Sequence, residues 1–365
     1  MDFQQAIQFC VDNNLIFATY RLPHADSVNL VVQKSNKPQK LDLNTELLKK
    51  RGFVIAPFNI EGSEKSYLIH PDLHYTNTNY DNFNELLCLP PNLSEQPEFE
   101  NGEFSQKEFM AQVELIKEAI HNKMFDKAVL SRIKVVDLPR NSGLSKIFMS
   151  LCAEYINAFV YFFSIDGHLW MGASPEPLLC SQADSIKTVS LAGTRIYNAE
   201  NLNMNNWSHK ERIEQQMVTT FIENVFQNFN FRKYKKTGPY TKKAGNLVHL
   251  RTDFMIKNSK VSNCFNDLLF ELHPTSAVCG LPKKPAMEYL LACEKHSRKY
   301  YAGFAGPLNI GGRLVQLFVN IRCMQILHNK LIMYVGAGIT NESDAESEWI
   351  ETEIKADTLL SLITI

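Results

Sequence analysis

Near its C-terminus the chain reads Gly336-Ala337-Gly338-Ile339, then a polar turn, then Glu348-Trp349-Ile350-Glu351-Thr352-Glu353-Ile354-Lys355. Upstream, Glu211 and Glu214 repeat the three-residue carboxylate spacing of Glu348 and Glu351. On a helix such pairs share a face and repel when both are ionised. At an effective dielectric of about 20 and a separation of about 4 Å, each repulsion costs on the order of 4 kcal/mol. If both pairs face one cavity, a cation must sit between them. Oxygen-only ligands suit a hard ion, and Mg²⁺ takes one or two carboxylates directly while waters and substrate oxygens complete its octahedron. The pattern predicts a Mg²⁺ site that also holds an anionic substrate. Most Glu-x-x-Glu spacings are solvated helix faces, so these pairs draw their weight from the segments around them.

The composition sets the frame for those segments. At 365 residues, with 45% apolar and 21% charged residues and a formal net charge of -1, the chain has the make-up of a globular protein with a sizeable core. Its near-neutral balance argues against nucleic acid or an anionic membrane as the main partner and favours a small metabolite. The start Met1-Asp2-Phe3-Gln4-Gln5 lacks a basic segment followed by an apolar one, and no apolar run approaches bilayer length, so a cytoplasmic protein is expected. The eight cysteines are scattered without Cys-x-x-Cys spacing and read as reduced core fillers. No heptad pattern calls for a partner chain, and a monomer is expected.

The elements that must position the carboxylates follow from periodicity and turn chemistry. Phe53 to Phe58 reads as a strand ending near Pro57, within a motif-poor N-terminal part, residues 1–100. Residues 89–106 are polar and Pro-rich and mark the boundary to the chemistry-bearing region, residues 101–365. Ser105 and Glu108 have capping-box spacing before a helix to about Lys123. A strand over Ala128 to Val136, a helix over Leu144 to Ile156, and strands Phe159 to Ile165 and His168 to Ala173 joined at Asp166-Gly167 follow. Further strands are predicted at Ile186 to Leu191, Leu247 to Ile256, Tyr300 to Leu308, Arg313 to Ile326 and Leu331 to Gly336. Helices are predicted at Ser208 to Phe229, Cys264 to Phe270, Ala286 to His296 and Ser347 to Leu360, with the Gly336–Ile339 run as a hinge before the last. Hairpin-joined strands with interspersed helices give an α+β fold, one large domain of antiparallel sheets flanked by helices.

The order of short motifs is more specific than any one of them. Asp126-Lys127-Ala128-Val129-Leu130-Ser131-Arg132, Gly172-Ala173-Ser174-Pro175-Glu176-Pro177, Leu191-Ala192-Gly193-Thr194-Arg195, Lys210-Glu211-Arg212-Ile213-Glu214, His273-Pro274-Thr275, Tyr301-Ala302-Gly303, Ile321-Arg322, the glycine run and the terminal glutamate helix follow one another. This series resembles the chorismate-utilising enzymes, which include isochorismate, salicylate, anthranilate and aminodeoxychorismate synthases; the resemblance covers residues 105 to 362. One departure is Gln215, where the family usually has histidine.

The resemblance implies Mg²⁺-dependent isomerisation of chorismate to isochorismate, feeding menaquinone or a catechol siderophore. Ammonia-using relatives carry glutamine in the segment matching Lys127, so a lysine there points to water as nucleophile. Ala192 stands where aminodeoxychorismate synthases often carry a nucleophilic lysine. Lys127 is the expected general base and Glu176 the expected general acid, protonating the departing C4 hydroxyl. Glu214 and Glu351 are the expected Mg²⁺ ligands, with Glu211 and Glu348 as their partners. Arg322 and Tyr301 are expected at the enolpyruvyl carboxylate, the backbone of Gly336 and Gly338 and the side chain of Lys355 at substrate anions, Gly193 and Thr194 along the ring, and His273 near the C4 hydroxyl. The same residues serve a salicylate synthase, which goes on to eliminate pyruvate.

Overall fold

Asp166 and Gly167 both take positive φ, 52° and 76°, as a two-residue turn matched to strand twist requires. The flanking strands Phe159–Ile165 and His168–Ser174 pair from Phe159↔Ser174 to Ile165↔His168. Around this hairpin the computed structural model, which describes residues 1–80, 82–99, 102–139, 143–182, 184–245, 247–312 and 314–363, shows two sheets. Among the described residues the first has nine strands and the second eight. The first runs Gly280–Leu281, Lys127–Asp137, Lys330–Ile339, Cys323–Leu327, His168–Ser174, Phe159–Ile165, Phe17–Arg21, Val28–Val32 and Leu73–Thr76. The second runs Lys235–Ala244, Leu247–Lys257, Ser185–Ile196, Pro177–Gln182, Gln316–Val319, Phe304–Leu308, Gly52–Ala56 and Tyr67–Ile69. Every pairing within them is antiparallel, as expected for the α+β class.

The sheets face each other across an aromatic core. Phe159 of the first stacks on Phe318 of the second with ring centroids 4.4 Å apart, and Phe53 and Phe163 close the same layer. On its other face the first sheet is covered by the helices Phe3–Asp12, Leu144–Glu154 and Ala345–Ile363, whose apolar sides supply Phe3, Ile7, Phe148, Leu151 and Leu359. Such two-sided burial explains the near-continuous apolar run of Phe159–Ile165, every residue of which is buried. Among the described residues no helix is long and apolar enough to cross a membrane.

Several elements differ from expectation. The predicted strand from Arg313 to Ile326 is two strands, Gln316–Val319 in the second sheet and Cys323–Leu327 in the first, and Arg313 itself lies outside the described residues. Between them Asn320 is tied to the Tyr300 carbonyl and the Tyr161 hydroxyl, and Arg322 takes φ 52°, so the chain breaks there and crosses from one sheet to the other. The glycine run Gly336–Ile339 is no hinge: it completes the strand Lys330–Ile339, paired residue for residue with Ala128 to Asp137. The strand expected from Tyr300 starts at Phe304, because Gly303 N–H turns back to the Tyr300 carbonyl. The described part of residues 1–99 carries the α-helices Phe3–Asp12 and Asn84–Leu87 and strands that extend both sheets; residues 100 and 101, at the expected boundary, lie outside the described residues.

Candidate active site

Lys127 opens the strand Lys127–Asp137 and is fully buried, its Nζ 3.0 Å from Oε1 of Glu214. Glu214 reaches it from the helix His209–Asn228, which lies against the second sheet. Ser208 caps that helix, accepting from Glu211 N–H while the Glu211 carboxylate accepts from Ser208 N–H. Glu211 is therefore spoken for: both its oxygens also take the Arg195 guanidinium, and it does not line the cavity. The expectation that Glu211 flanks a metal is corrected by that capping role.

The cavity lies where the two sheets meet the glutamate helices. Its walls include Glu176, Gly193, Thr194, Glu214, Tyr301, Arg322, Gly336, Gly338, Glu351 and Lys355, ten of the fourteen residues singled out from sequence. Lys127 touches it through Glu214. Glu348 lies alongside, 1% exposed and paired with Lys210; burial and the neighbouring charge of Glu351 push its carboxyl up. Lys355 bridges Glu351, at 2.6 Å, and the Gly336 carbonyl, at 2.7 Å. The structure thus gives three carboxylates one lysine each.

Two glycines are explained by space and by backbone. A Cβ on Gly338 would stand 2.4 Å from Oε1 of Glu214 and 3.1 Å from Cε of Lys127, so only glycine leaves room for that pair. Gly193, at φ 68°, forms the bulge that interrupts pairing between Ala192 and Arg195 and turns its carbonyl toward His249.

Glu176 follows the strand His168–Ser174 and is 2% exposed. Thr275 Oγ1 donates to it at 3.3 Å. Burial pushes its carboxyl up to about 7, against the opposing pull of Thr275, Lys127, Arg251 and Arg322. Glu214 goes the other way. Burial raises it, but the charge and hydrogen bond of Lys127, with Lys355 and Lys210 behind, hold it below the usual carboxylate range. Two carboxylates of one cavity are therefore pushed apart, one toward acid and one toward anion.

Arg322 sits in the left-handed region and its Nη1 is buried with no protein partner. Burial draws its guanidinium down to about 10 despite Glu351. A buried, unpaired fork of this kind matches a bidentate carboxylate. Tyr301 stacks on Tyr334 at 5.5 Å beside it.

His273 is not in the cavity wall. It caps the helix Phe265–Leu272, and its Nε2 hydrogen-bonds the Pro57 carbonyl at 3.0 Å, so the expectation that it meets the substrate is corrected. His249, from the strand Leu247–Lys257, lines the cavity instead. Burial pushes it down to about 3, so the ring is neutral; Nδ1–H donates to the Gly193 carbonyl at 2.8 Å and leaves Nε2 as an acceptor. The sequence signal was a lone histidine among the apolar residues Leu247, Val248 and Leu250 of a buried strand. Gln215, the residue after Glu214, is buried and donates to Ser190 and Thr252, holding the helix on the second sheet.

Residues 49–364 match the chorismate binding enzyme family. The chain belongs to this family. The chorismate binding enzymes similar to it include isochorismate synthase EntC of Escherichia coli K12, 29% identical over 248 residues that cover 65% of this chain and 62% of EntC. The vibriobactin-specific isochorismate synthase of Vibrio cholerae is 25% identical over 93% of this chain and 85% of its own length. Among solved structures, the menaquinone-specific isochorismate synthase MenF from Escherichia coli superposes with a TM-score of 0.78 at 20% identity, over 100% of this chain and 91% of that one. The match to EntC spans about three fifths of its length, and the fold likeness to MenF extends over 91% of that chain.

The anionic groups of the cavity wall are carboxylates. Glu214 and Glu351 both open onto it, and the missing Cβ of Gly338 leaves space at the Glu214 oxygen. Among the described residues no three His, Cys, Asp or Glu side chains are gathered as a metal-holding group. Of the three carboxylates among the described wall residues, Glu176 is pushed toward its neutral form, and the remaining two, Glu214 and Glu351, fit Mg²⁺, which keeps waters and substrate oxygens, rather than a metal caged by protein alone.

Proposed function

We propose that this chain is an isochorismate synthase, isomerising chorismate by attack of water at C2 and loss of the C4 hydroxyl. One observation carries the reading: the buried Glu176, whose carboxyl titrates at about 7, shares a site with Lys127, itself buried against cavity-lining Glu214. Near neutral pH Glu176 holds a proton on its carboxyl oxygen and delivers it to the departing C4 oxygen. To act as base Lys127 must be the neutral amine: having released its ammonium proton and left Glu214, its Nζ takes a proton from the water that attacks C2. One water enters and one departs, so the ring's double bonds shift with no net change in composition. Arg322 and Tyr301 bind the enolpyruvyl carboxylate, and Lys355 and the Gly336–Gly338 backbone hold the substrate's anionic side. Neutral His249 accepts a hydrogen bond from a ring hydroxyl through Nε2.

Glu214 and Glu351 are the residues that would hold Mg²⁺, with Glu348 behind them. When bound there the ion would neutralise the ring carboxylate. The similarity to EntC, to the vibriobactin-specific enzyme and to MenF supports the same activity. A monomer, checked by light scattering, and either a menaquinone or a siderophore destination for the product accompany the reading.

The deciding experiment incubates the purified protein with chorismate and Mg²⁺ and resolves products by chromatography. Isochorismate alone supports the proposal. Fluorescent salicylate with pyruvate would make the chain a salicylate synthase, and product that depends on ammonium would make it an anthranilate synthase.

A further inference from the structure

Behind the cavity wall lies a buried ion pair that the chemistry above does not use. Arg298 and Glu294 are 3% or less exposed in their side chains, and Glu294 Oε2 accepts from Arg298 Nε at 2.7 Å. The guanidinium also donates to two backbone carbonyls, Val278 from Nη1 at 2.8 Å and Val129 from Nη2 at 2.6 Å. Its plane lies over the Phe58 ring, 4.2 Å from the centroid. Glu294 Oε1 in turn accepts from Ser131 N–H at 2.8 Å. Val129 and Val278 both line the cavity.

The two carbonyls belong to the two segments that carry the chemistry. Val129 is two residues beyond Lys127 on the same strand. Val278 N–H and Cys279 N–H both donate to the Thr275 carbonyl, at 3.1 and 3.0 Å, and Thr275 Oγ1 donates to Glu176. We propose that Arg298 is a positioning residue that clamps the Lys127 strand to the Thr275–Cys279 turn, and so sets where base and acid stand relative to each other. The inference rests on the functional reading above for the words base and acid. Its geometry stands on the hydrogen bonds alone.

A guanidinium is needed because one rigid plane must serve a carboxylate and two divergent carbonyls at once. An ammonium is a point charge that cannot hold all three in fixed directions. A buried ion pair is also weak as a source of stability, since desolvation offsets its attraction. Placement is the better account of its presence.

The test is Arg298→Lys, which keeps the buried charge and loses the fork. The expected result is a fall in kcat of about tenfold or more, because small misplacements of reacting groups are costly, with KM for chorismate within about twofold. The second readout needs no turnover: infrared titration of the Glu176 carboxyl in the ligand-free protein, identified by its loss in Glu176→Gln. Thr275 favours the ionised form of Glu176, so a loosened turn moves the titration upward. The other charged groups facing Glu176, namely Lys127, Arg251 and Arg322, are unchanged by the substitution. An unshifted titration with unaltered kcat, or an effect confined to KM or to Tm, would overturn the proposal. Should Arg298→Lys fail to fold, the double variant Glu294→Gln with Arg298→Met removes both charges together and is read the same way. If the wild-type protein leaves chorismate untouched, the functional reading falls, while the Glu176 titration still decides the clamp.

Discussion

Lys127 Nζ and Glu214 Oε1 stand 3.0 Å apart although the residues are separated by 87 positions and come from a strand of one sheet and a helix packed on the other. Gly338 lies against both, and any side chain there would fill the space that they share. This contact joins the proposed base to a proposed metal ligand, and the expected effects of substitution spread from it.

Gly338→Ala adds a methyl where only 2.4 Å separates the new Cβ from the Glu214 carboxylate, so Glu214 must swing aside. Mg²⁺ affinity, measured by titration calorimetry, is expected to weaken by about tenfold, which is about 1.4 kcal/mol. Turnover is expected to fall with it, and full recovery at high Mg²⁺ would show that displacement of Glu214 is the whole effect.

Glu176→Gln keeps the shape of a side chain whose neutral form the fold favours, with its carboxyl pushed up to about 7. The folded protein should therefore keep its Tm within a few degrees, while kcat drops by about 10²- to 10⁴-fold, the usual worth of a positioned general acid. Steady-state kinetics with chorismate measures both sides of this expectation, and a variant with undiminished kcat removes Glu176 from the acid role.

The pH profile follows from the same group. The carboxyl is raised from 4.5 to about 7, so the folded state binds more protons than the unfolded state between those values. Its contribution to stability is complete below about 4.5 and is lost as pH rises through about 7. Activity, which needs the protonated form, should fall roughly tenfold per pH unit above about 7. In urea melts the pH-dependent component between those limits should shrink in Glu176→Gln, leaving the share of Glu348, whose carboxyl is also pushed up to about 7.

The two histidines should separate cleanly. His249→Ala removes a cavity acceptor and is expected to lower kcat/KM by about 10- to 100-fold with a small change in Tm. His273→Ala breaks the bond to Pro57 and leaves that buried carbonyl unpaired, a loss of about 1–3 kcal/mol of stability. Kinetics normalised to folded protein should be near wild type for His273→Ala. The reverse assignment of effects would restore His273 to the site and remove His249 from it.

Much of the fold was legible because local rules and global packing agree. The hairpin at Asp166-Gly167, the helix capped at Ser105 and the long helix after Ser208 all fall within a few residues of their predicted positions. Readings failed where a tertiary contact overrode a local pattern. Arg313 to Ile326 has an unbroken strand-like composition, yet Asn320 and Arg322 are held in a crossover between sheets. Glu211 was read as a metal neighbour although Ser208-x-x-Glu211 is itself a capping signature that assigns the carboxylate to its own helix end.

The sequence by itself determined the α+β class, the family and the glutamate, lysine and arginine types of the site, because periodicity and motif order are properties of the chain alone. Only the tertiary structure decided which of those residues share a cavity. Distances between strands of different sheets and helices far apart in sequence are not encoded in spacing, so Lys127 meeting Glu214, His249 replacing His273, and the burial that raises Glu176 while its neighbours lower Glu214 emerge only when the two sheets close on each other.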